Sequence, residues 1–422
     1  MGYFVLVLTI IVYLIRPAEW IPALYFNWNM LLNALGLLVV CGIAINQNRK
    51  LTYDRTTLFL LWFVVSMLLS NIFNGQFNTI VTYLSQMMST IIIFVLAQTA
   101  ITKGKQIDNF ILVIICLTLF ICFQCYLQVT TGANWGGLEP LTRSTPTGTE
   151  LQVVWFGILQ DPNDLGMFLI AFAPYILNKV LYQGNAFIYK ILWLITLLCI
   201  SYTVILTNSR GSILAFMGGI GCFYIIKKRS LAGYVIAGML AVALLAIAPS
   251  RMGELGSGDY SAMGRVYAWI LALELLAMNP VFGIGAMHFL DYHGLTTHNS
   301  YVLAMVENGV VGFIGYFGII ALAVYTMIKV AYDLEDKKRS TEVIALVAGM
   351  LGILISIFFI SRTYVLLPFL YIAIMMTYIR VYCPELHAKH IKALSLVKII
   401  SLSLGFIVFI YIFNRLATTL LI

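Results

Sequence analysis

A histidine that could transfer protons stands in an otherwise apolar stretch, TTHNSYVLAMVENG at 296–309, where it is His298. Its neighbours Thr297, Asn299 and Ser300 are residue types that cap helix N-termini. A helix N-terminus disfavours imidazolium, so it favours the neutral ring that a general base needs near pH 7. Two interpretations are open from these residues alone: a base that activates a hydroxyl group, or a histidine that caps or packs at a membrane interface.

Two arginines occupy positions where a cation is unfavourable unless an anion joins it. Arg210 lies in the turn NSRGS beside a helix predicted to begin near Ser212, and Arg265 lies in the first turn of the apolar segment 264–280. Helix N-termini present free N–H groups and a positive dipole end, which repel cations and attract phosphate. Because guanidinium binds phosphate or carboxylate with a planar fork, we expect an anion site here. The alternative is an arginine that merely reaches for water from a helix end.

Other polar residues at the same predicted membrane edge could support such a site. Asp161, Asn163 and Asp164 form a DPND turn before an apolar span, where capping explains some of them and leaves room for a sugar contact. Glu307 lies about two and a half turns deeper than His298 and could orient a partner, pair with an arginine or be protonated. The further supporting candidates are Asn299, Arg143 and Arg362.

A metal site is the alternative raised by three histidines at a spacing of five, His288, His293 and His298. That spacing rotates successive side chains by roughly 140°, so they do not share a helix face. No cysteine or paired carboxylate completes a ligand set. The CxxC pair Cys122 and Cys125 lies in an apolar run and indicates helix packing rather than redox chemistry. We predict no metal and no cofactor.

The elements that must position these residues are membrane helices. The chain has 422 residues, 61% hydrophobic and 10% charged, whereas soluble domains are nearer half apolar and a quarter charged. Continuous apolar runs predict an all-α polytopic protein of about 12 to 13 transmembrane helices, with 1–422 as a single integral membrane domain. The opening stretch is expected to be a retained first helix rather than a signal peptide. Predicted spans are 2–15, 28–46, 57–73, 78–100, 109–128, 164–183, 190–207, 212–226, 231–248, 302–330, 341–360, 363–382 and 394–413.

Basic residues predict the orientation of the chain. One set of alternate loops contains lysine, as at 103–105, 227–229 and 337–339, and by the positive-inside rule it faces the cytoplasm. The net charge of +8 is therefore explained by topology and does not indicate nucleic-acid binding. The long loops 129–163 and 249–301 then face outward, and 264–280 is short enough for an interfacial or re-entrant helix. Every basic residue on the outer face is an arginine: Arg16, Arg143, Arg210, Arg251, Arg265, Arg362 and Arg415.

The sequence resembles the O-antigen ligase / Wzy polymerase superfamily. The resemblance is carried by the DPND turn, by NSRGSILAF, by GRVYAWILALELLAMNPVFGIGAMHF and by THNSYVLAMVENGVVGFIGY, in that order over roughly residues 155–330. It implies a GT-C-like inverting glycosyltransferase of the bacterial inner membrane, independent of metal, with its active site at the periplasmic face in the loop 249–301.

The resemblance also implies roles and partners. Arg210 and Arg265 would bind the pyrophosphate of an undecaprenyl pyrophosphate-linked glycan, and His298 would activate or orient the acceptor hydroxyl. The acceptor would be lipid A–core for a ligase. It would be another glycan for a polymerase, or a protein for an O-oligosaccharyltransferase. IRPAEW near the N-terminus is similar to the exosortase-associated O-glycosylation ligase branch.

Two other classes are considered. A lipid-linked glycan transporter would also bind pyrophosphate through arginines, but transporters commonly show internal repeats and broken helices near the bilayer midplane. No convincing repeat is visible, and the polar residues cluster at one interface. A membrane scaffold would explain the spans, but it would not explain an outer face whose basic residues are all arginine beside a histidine.

Overall fold

The chain is an all-α polytopic membrane protein, as predicted. The computed structural model describes residues 1–45, 51–145, 148–228 and 260–421. Within these ranges, eleven helical segments are long and apolar enough to cross a membrane. Tyr267–Met278 and Leu366–Tyr382 are shorter apolar helices. The first is the apolar part of a helix, Tyr260–Met278, that begins four residues before the predicted segment 264–280. Arg265 therefore lies in its second turn, and the prediction that it lies in the first turn is wrong. The predicted span 231–248 and Arg251 lie outside the described residues.

The described helices are numbered along the chain. They are α1 (Gly2–Ile15), α2 (Pro17–Trp20), α3 (Trp28–Ile45), α4 (Arg55–Phe73), α5 (Phe77–Ala100), α6 (Gly104–Thr131), α7 (Pro162–Ile170), α8 (Ala173–Leu181), α9 (Phe187–Leu206), α10 (Arg210–Lys228), α11 (Tyr260–Met278), α12 (Ser300–Asp333), α13 (Lys337–Ser356), α14 (Leu366–Tyr382), α15 (Pro384–His390) and α16 (Leu396–Leu421). Short 3-10 turns lie at Pro22–Leu24, Gly157–Leu159 and Phe289–Asp291.

A two-stranded hairpin lies in the loop predicted at 129–163, although the apolar pattern gave no sign of strands. Its strands are β1 (Leu141–Thr145) and β2 (Gly148–Gln152), which run antiparallel. The end of β2 is fastened to the turn between α9 and α10. There the Asn208 side-chain amide donates to the Leu151 carbonyl at 2.7 Å, and that of Gln152 donates to the Thr207 carbonyl at 3.3 Å. The hairpin therefore lies beside the start of α10.

The predicted span 164–183 consists of two helices, α7 and α8, which meet at Phe172. Pro174 in the first turn of α8 cannot donate to the preceding helix, which accounts for the break. α7 packs closely on α10, because a Cβ atom at Gly166 would lie 1.9 Å from the Ser212 hydroxyl oxygen. This contact sets the two helix N-termini side by side.

The central helix α12 packs against α4 and α13 and is broken at Gly309, whose backbone is left-handed (φ 63°, ψ −169°). Hydrogen bonds lost by the helix are replaced by the loop 280–285. Ile284 and Gly285 donate to the carbonyls of Val306 and Glu307 at 3.0 and 3.2 Å. In return, Val310 and Val311 donate to the carbonyls of residues 280 and 281 at 2.8 and 3.2 Å. A broken helix is tolerated inside a membrane only when its backbone groups are satisfied in this way.

Candidate functional site

The DPND turn and the start of α10 are joined by side chains. Asp161 is the N-cap of α7, and its carboxylate accepts from the backbone and side-chain nitrogens of Asn163, both at 2.8 Å. The Ser209 hydroxyl donates to the Asn163 side-chain oxygen at 2.6 Å. Ser209 in turn accepts from the backbone N–H of Ser212 at 3.1 Å. The predicted capping role of Asp161 is confirmed, and the turn also holds α10.

A buried ion pair connects α7 to the segment between α13 and α14. Arg362 donates from Nε and Nη2 to the two carboxylate oxygens of Asp164, at 2.6 and 2.5 Å. Burial alone would lower the pKa of the Arg362 guanidinium, but the hydrogen bonds and charge of Asp164 raise it above its ordinary value. Arg362 thus remains charged, and one of its two forks is occupied by a carboxylate of this chain.

The segment between α13 and α14 is hydrogen-bonded to the start of α12. The Ser300 hydroxyl donates to the carbonyl of Ile360 at 2.6 Å and accepts from the backbone N–H of Arg362 at 2.8 Å. The Thr363 hydroxyl donates to the Ser300 carbonyl at 2.8 Å. One residue pair further out, the hydroxyls of Thr297 and Ser361 lie 3.2 Å apart. These hydrogen bonds hold together two segments of the chain near His298, residues 297–300 and 360–363.

His298 lies one residue before the N-cap of α12. The cap is Asn299, whose side-chain oxygen accepts from the N–H groups of Tyr301 and Val302 at 3.0 and 3.2 Å. His298 itself has a left-handed backbone, with φ 48°. Such a conformation is uncommon outside glycine, although histidine is among the residues that adopt it more often, and strained positions cluster at functional sites. Capping therefore accounts for Asn299, and His298 is not needed for it.

Arg265 is brought toward His298 by its own helix. Trp269 follows Arg265 by four residues on α11, so the two side chains share a helix face. The Trp269 indole nitrogen donates to the Thr297 carbonyl at 2.5 Å, which docks that face on the residue before His298. The positive charge of Arg265 is accordingly one of the influences on the His298 ring.

The environment holds His298 in its neutral form. Burial lowers the pKa of the imidazole most, and Arg265 and then Arg362 lower it further. Asp161 acts in the opposite direction, and the resulting pKa is about 4. A neutral imidazole at pH 7 can accept a proton, as a general base must. Asp161, Arg265 and Arg362 are thus the charged residues that act on the His298 ring.

Three helix N-termini meet at this place. α7 and α10 are linked through Asn163 and Ser209, and α7 is linked to the start of α12 through Asp164, Arg362 and Ser300. Arg210 is the exposed first residue of α10. Helix N-termini and arginines together form an electropositive surface, and phosphate groups are the ligands that such surfaces bind.

A comparison with protein families gives an independent result for this region. A family model described as O-antigen ligase (Wzy_C) matches residues 195–317. Residues 195–317 are therefore similar to the O-antigen ligase family. The match contains Arg210, Arg265 and His298, while the DPND turn and Arg362 lie outside it. The site assembled in the structure therefore extends beyond the matched residues. A comparison with curated proteins found no match.

Two of the predicted supporting residues, Arg143 and Glu307, are not among the side chains linked to His298 above. Arg143 is exposed on β1, opposite Glu150 in the hairpin. Glu307 is buried beside the break in α12, where its carboxylate accepts from the Phe289 N–H at 3.0 Å and from the Tyr364 hydroxyl at 2.6 Å. Of the three possibilities considered for Glu307, these contacts favour the orientation of a polar partner.

Two of the three histidines between α11 and α12 have separate partners. His288 bonds to Asp291 through Nδ1 at 2.6 Å and to the Thr79 hydroxyl through Nε2 at 3.1 Å. The ring of His293 contacts the backbone of Leu295. Neither contact involves His298, so the even spacing of these residues does not bring them to a common point.

Several residues of the site escaped the sequence reasoning. Trp269 positions the arginine, Ser361 the loop and Tyr364 the glutamate. Trp269 and Tyr364 lie in apolar runs typical of buried helices, and Ser361 lies in the short turn between the predicted spans 341–360 and 363–382. A signal was present only for Trp269, since a spacing of four from Arg265 puts it on the same helix face. The pairing of Asp164 with Arg362 had no local signal.

Proposed function

We propose that this protein transfers a glycan from a lipid-linked pyrophosphate to an acceptor hydroxyl at the outer face of the membrane. The observation that carries the proposal is geometric: α7, α10 and α12 begin beside one another, and the Trp269–Thr297 hydrogen bond joins the helix of Arg265 to the residue before His298. We further propose that the donor lipid is undecaprenyl pyrophosphate, as in O-antigen ligation. The protein would then be a GT-C-like enzyme of the bacterial inner membrane, with this site facing the periplasm.

Arg210 and Arg265 bind the pyrophosphate of the donor. As the bond between the sugar and the phosphate breaks, negative charge grows on the departing phosphate oxygen. Cations and helix N-termini fixed in a partly dehydrated site stabilise that charge without reorganising at the moment of reaction. The two arginines and the three helix ends supply this stabilisation, so the reaction as proposed needs no divalent cation.

His298 accepts the proton of the acceptor hydroxyl. The acceptor oxygen attacks the anomeric carbon of the donor sugar from the side opposite the phosphate, so the new C–O bond forms as the old one breaks and the configuration inverts. The products are the glycosylated acceptor and the lipid pyrophosphate, and the proton on His298 passes to water. A positioned general base typically contributes about 100- to 10,000-fold to such a step.

The remaining site residues hold this arrangement together. Asp164 keeps Arg362 in place, Asp161 and Asn163 hold α10, and Asn299 caps the helix that follows His298. The ligase-type acceptor is lipid A–core. Polymerisation of the glycan and transfer to a protein are the alternatives within the same superfamily, because both use the same donor chemistry.

The test is a transfer assay in proteoliposomes with an undecaprenyl pyrophosphate-linked glycan, EDTA, and lipid A–core, glycan or protein acceptors in separate reactions. His298→Ala and Arg210→Ala are expected to lose at least roughly 100-fold in rate. His293→Ala, which removes a half-buried histidine of the same loop, is the matched control and should retain activity. Full transfer by His298→Ala would refute the assigned base, and lipid movement across the bilayer without any transfer would favour a transporter.

A further inference from the structure

A polar cleft lies beside the candidate site, between the end of α1 and the start of α3. It has a volume of about 190 Å³ and is lined by residues that follow α1 and lead into α3. The polar members of the lining are Arg16, Glu19, Asn27 and Asn29, and the aromatic members are Phe26 and Trp28. Charged, amide and aromatic side chains thus converge on one small concave surface.

This cleft is on the same side of the membrane as His298. The Glu19 carboxylate accepts from the backbone N–H of Gly157 at 3.0 Å, and Gly157 precedes the DPND turn by four residues. The Trp155 indole nitrogen donates to the carbonyl of Leu14, at the end of α1, at 2.7 Å. The segment 155–161 therefore runs directly from the cleft to the N-cap of α7.

The cleft is built by residues held in fixed positions. Arg16 has a left-handed backbone (φ 54°), and its Nη1 lies 3.5 Å from a Glu19 oxygen. Its Nε atom is buried and has no hydrogen-bond partner among the described residues. The Trp28 indole nitrogen donates to the Leu24 carbonyl at 2.9 Å, which fixes the ring against rotation. Arg16 is the left-handed C-cap of α1, with its backbone N–H bonded to the Val12 carbonyl, so the arginine and the ring are positioned before any ligand binds.

The chemistry of the lining selects a sugar. Carboxylate and amide groups exchange hydrogen bonds with hydroxyls, and aromatic rings cover the apolar C–H faces of a pyranose. The volume equals roughly six waters of liquid, which is the scale of one monosaccharide ring and too small for a peptide or a lipid chain. Pockets that combine an apolar wall with a few convergent polar groups are typical ligand sites.

We propose that this cleft binds one sugar unit of the glycan substrate, either of the donor chain or of the acceptor. The inference rests on the proposed glycan transfer, because only then does a sugar arrive at this face of the protein. The cleft would hold a unit some distance from the reacting bond, so it would affect substrate affinity more than the chemical step.

The test has a binding arm and a transfer arm, both on the full chain in nanodiscs. Saturation-transfer NMR measures the binding of a panel of methyl glycosides to the wild type, to Glu19→Gln and to Asn29→Ala. Glu19→Gln keeps an oxygen for the Gly157 N–H while removing the charge. Tyr25→Ala is the matched control, because Tyr25 is 87% exposed in the same segment but does not line the cleft.

We expect the wild type and Tyr25→Ala to bind at least one glycoside, and Glu19→Gln and Asn29→Ala to lose that signal. In the transfer arm, KM should rise about tenfold in the two cleft variants with kcat nearly unchanged. A rise in KM for the donor assigns the bound unit to the donor chain, and a rise in KM for the acceptor assigns it to the acceptor.

Unchanged glycoside binding in both cleft variants would overturn the inference. So would a wild type that transfers glycan but binds no glycoside, or variants that change only the content of co-purified lipid, which would assign the cleft to a lipid headgroup. Glycoside binding that depends on the cleft, in a protein without transfer activity, would support the sugar site and refute the proposed function.

Discussion

The indole nitrogen of Trp269 lies 2.5 Å from the carbonyl oxygen of Thr297, and this hydrogen bond joins the helix that carries Arg265 to the residue before His298. The proposed anion-binding arginine and the proposed base lie on different segments of the chain. Their relative position therefore depends on contacts of this kind, which take no part in the chemistry themselves.

Replacement of Trp269 by phenylalanine should lower kcat by about tenfold. The aromatic ring is retained, but α11 is no longer held to Thr297, and small displacements of reacting groups have large effects on rate. Trp62→Phe is the matched control, because the Trp62 indole nitrogen makes a similar bond to the Val311 carbonyl, at 3.1 Å, on a different part of α12. Equal activity of the two variants in the transfer assay would contradict a positioning role for Trp269.

The ion pair of Asp164 and Arg362 should contribute strongly to stability. Asp164→Asn leaves a buried arginine without its charge partner, and breaking a buried pair costs about 3 to 5 kcal/mol. We expect the lower end of that range, because the Arg362 side chain is 33% exposed. Asp333→Asn removes the pairs of a surface carboxylate with Lys389, which is 64% exposed, and with His390, and the loss of stability should be much smaller.

Thermal unfolding in nanodiscs measures this difference. The double variant Asp164→Asn with Arg362→Gln should recover part of the loss, because neither charge is then left unpaired. A double variant less stable than the sum of the two single variants predicts would argue against direct pairing.

The pH dependence of transfer should follow the His298 ring. With a pKa of about 4, the free enzyme keeps its base neutral well below pH 6.5, so kcat/KM should fall only as the pH approaches 4. Because the folded-state pKa is below the ordinary value, the contribution of this group to stability is complete above about pH 6.5 and is lost as the pH falls toward 4.

Removal of the Arg265 charge should raise the pKa of His298, since that charge is one of the groups that lower it. NMR titration of the ring in Arg265→Gln measures the change without any need for activity. Arg143→Gln, which removes an exposed charge on the hairpin, serves as the control and should leave the titration unchanged. A pKa near 6.5 in the wild type would contradict the burial of the ring.

Gly309→Ala should destabilise the protein by more than about 2 kcal/mol. The left-handed backbone is unfavourable for alanine, and the new Cβ atom would lie 2.3 Å from the carbonyl oxygen of Val281. Gly221→Ala on α10 is the matched control, because no atom lies within 4 Å of its Cβ position, and alanine in a helix should be neutral or slightly stabilising. Thermal unfolding compares the two; a stable Gly309→Ala variant would show that the loop 280–285 is not needed to satisfy the broken helix.

The parts of the fold that sequence reasoning predicted are those set by local composition. Apolar length predicted the spans, and residue type predicted the caps at Asp161 and Asn299, because both effects act within a few residues. The start of α10 was expected near Ser212, and it begins at Arg210, which keeps the arginine at the helix N-terminus.

The parts that were missed depend on contacts between distant segments. The predicted span 302–330 contains Gly309 without a break, because the break is stable only with the loop 280–285 against it. The hairpin at 141–152 lies in a polar loop and is fastened by Asn208 and Gln152. Asp164 and Arg362 each had a plausible role of their own, and only the packing of α7 against the segment after α13 shows that they belong together.

The distance in sequence between Asp164 and Arg362 also determines how long one is synthesised before the other. Asp164 and Arg362 are 198 residues apart, so a ribosome that adds about 5 to 20 residues per second makes the arginine roughly 10 to 40 s after the aspartate. Both α7 and α10 are completed within that interval, but the Asp164 carboxylate has no Arg362 to pair with until the interval ends. The candidate site is thus completed late in synthesis, and a nascent chain stalled before residue 362 would have most of its membrane helices and no finished site.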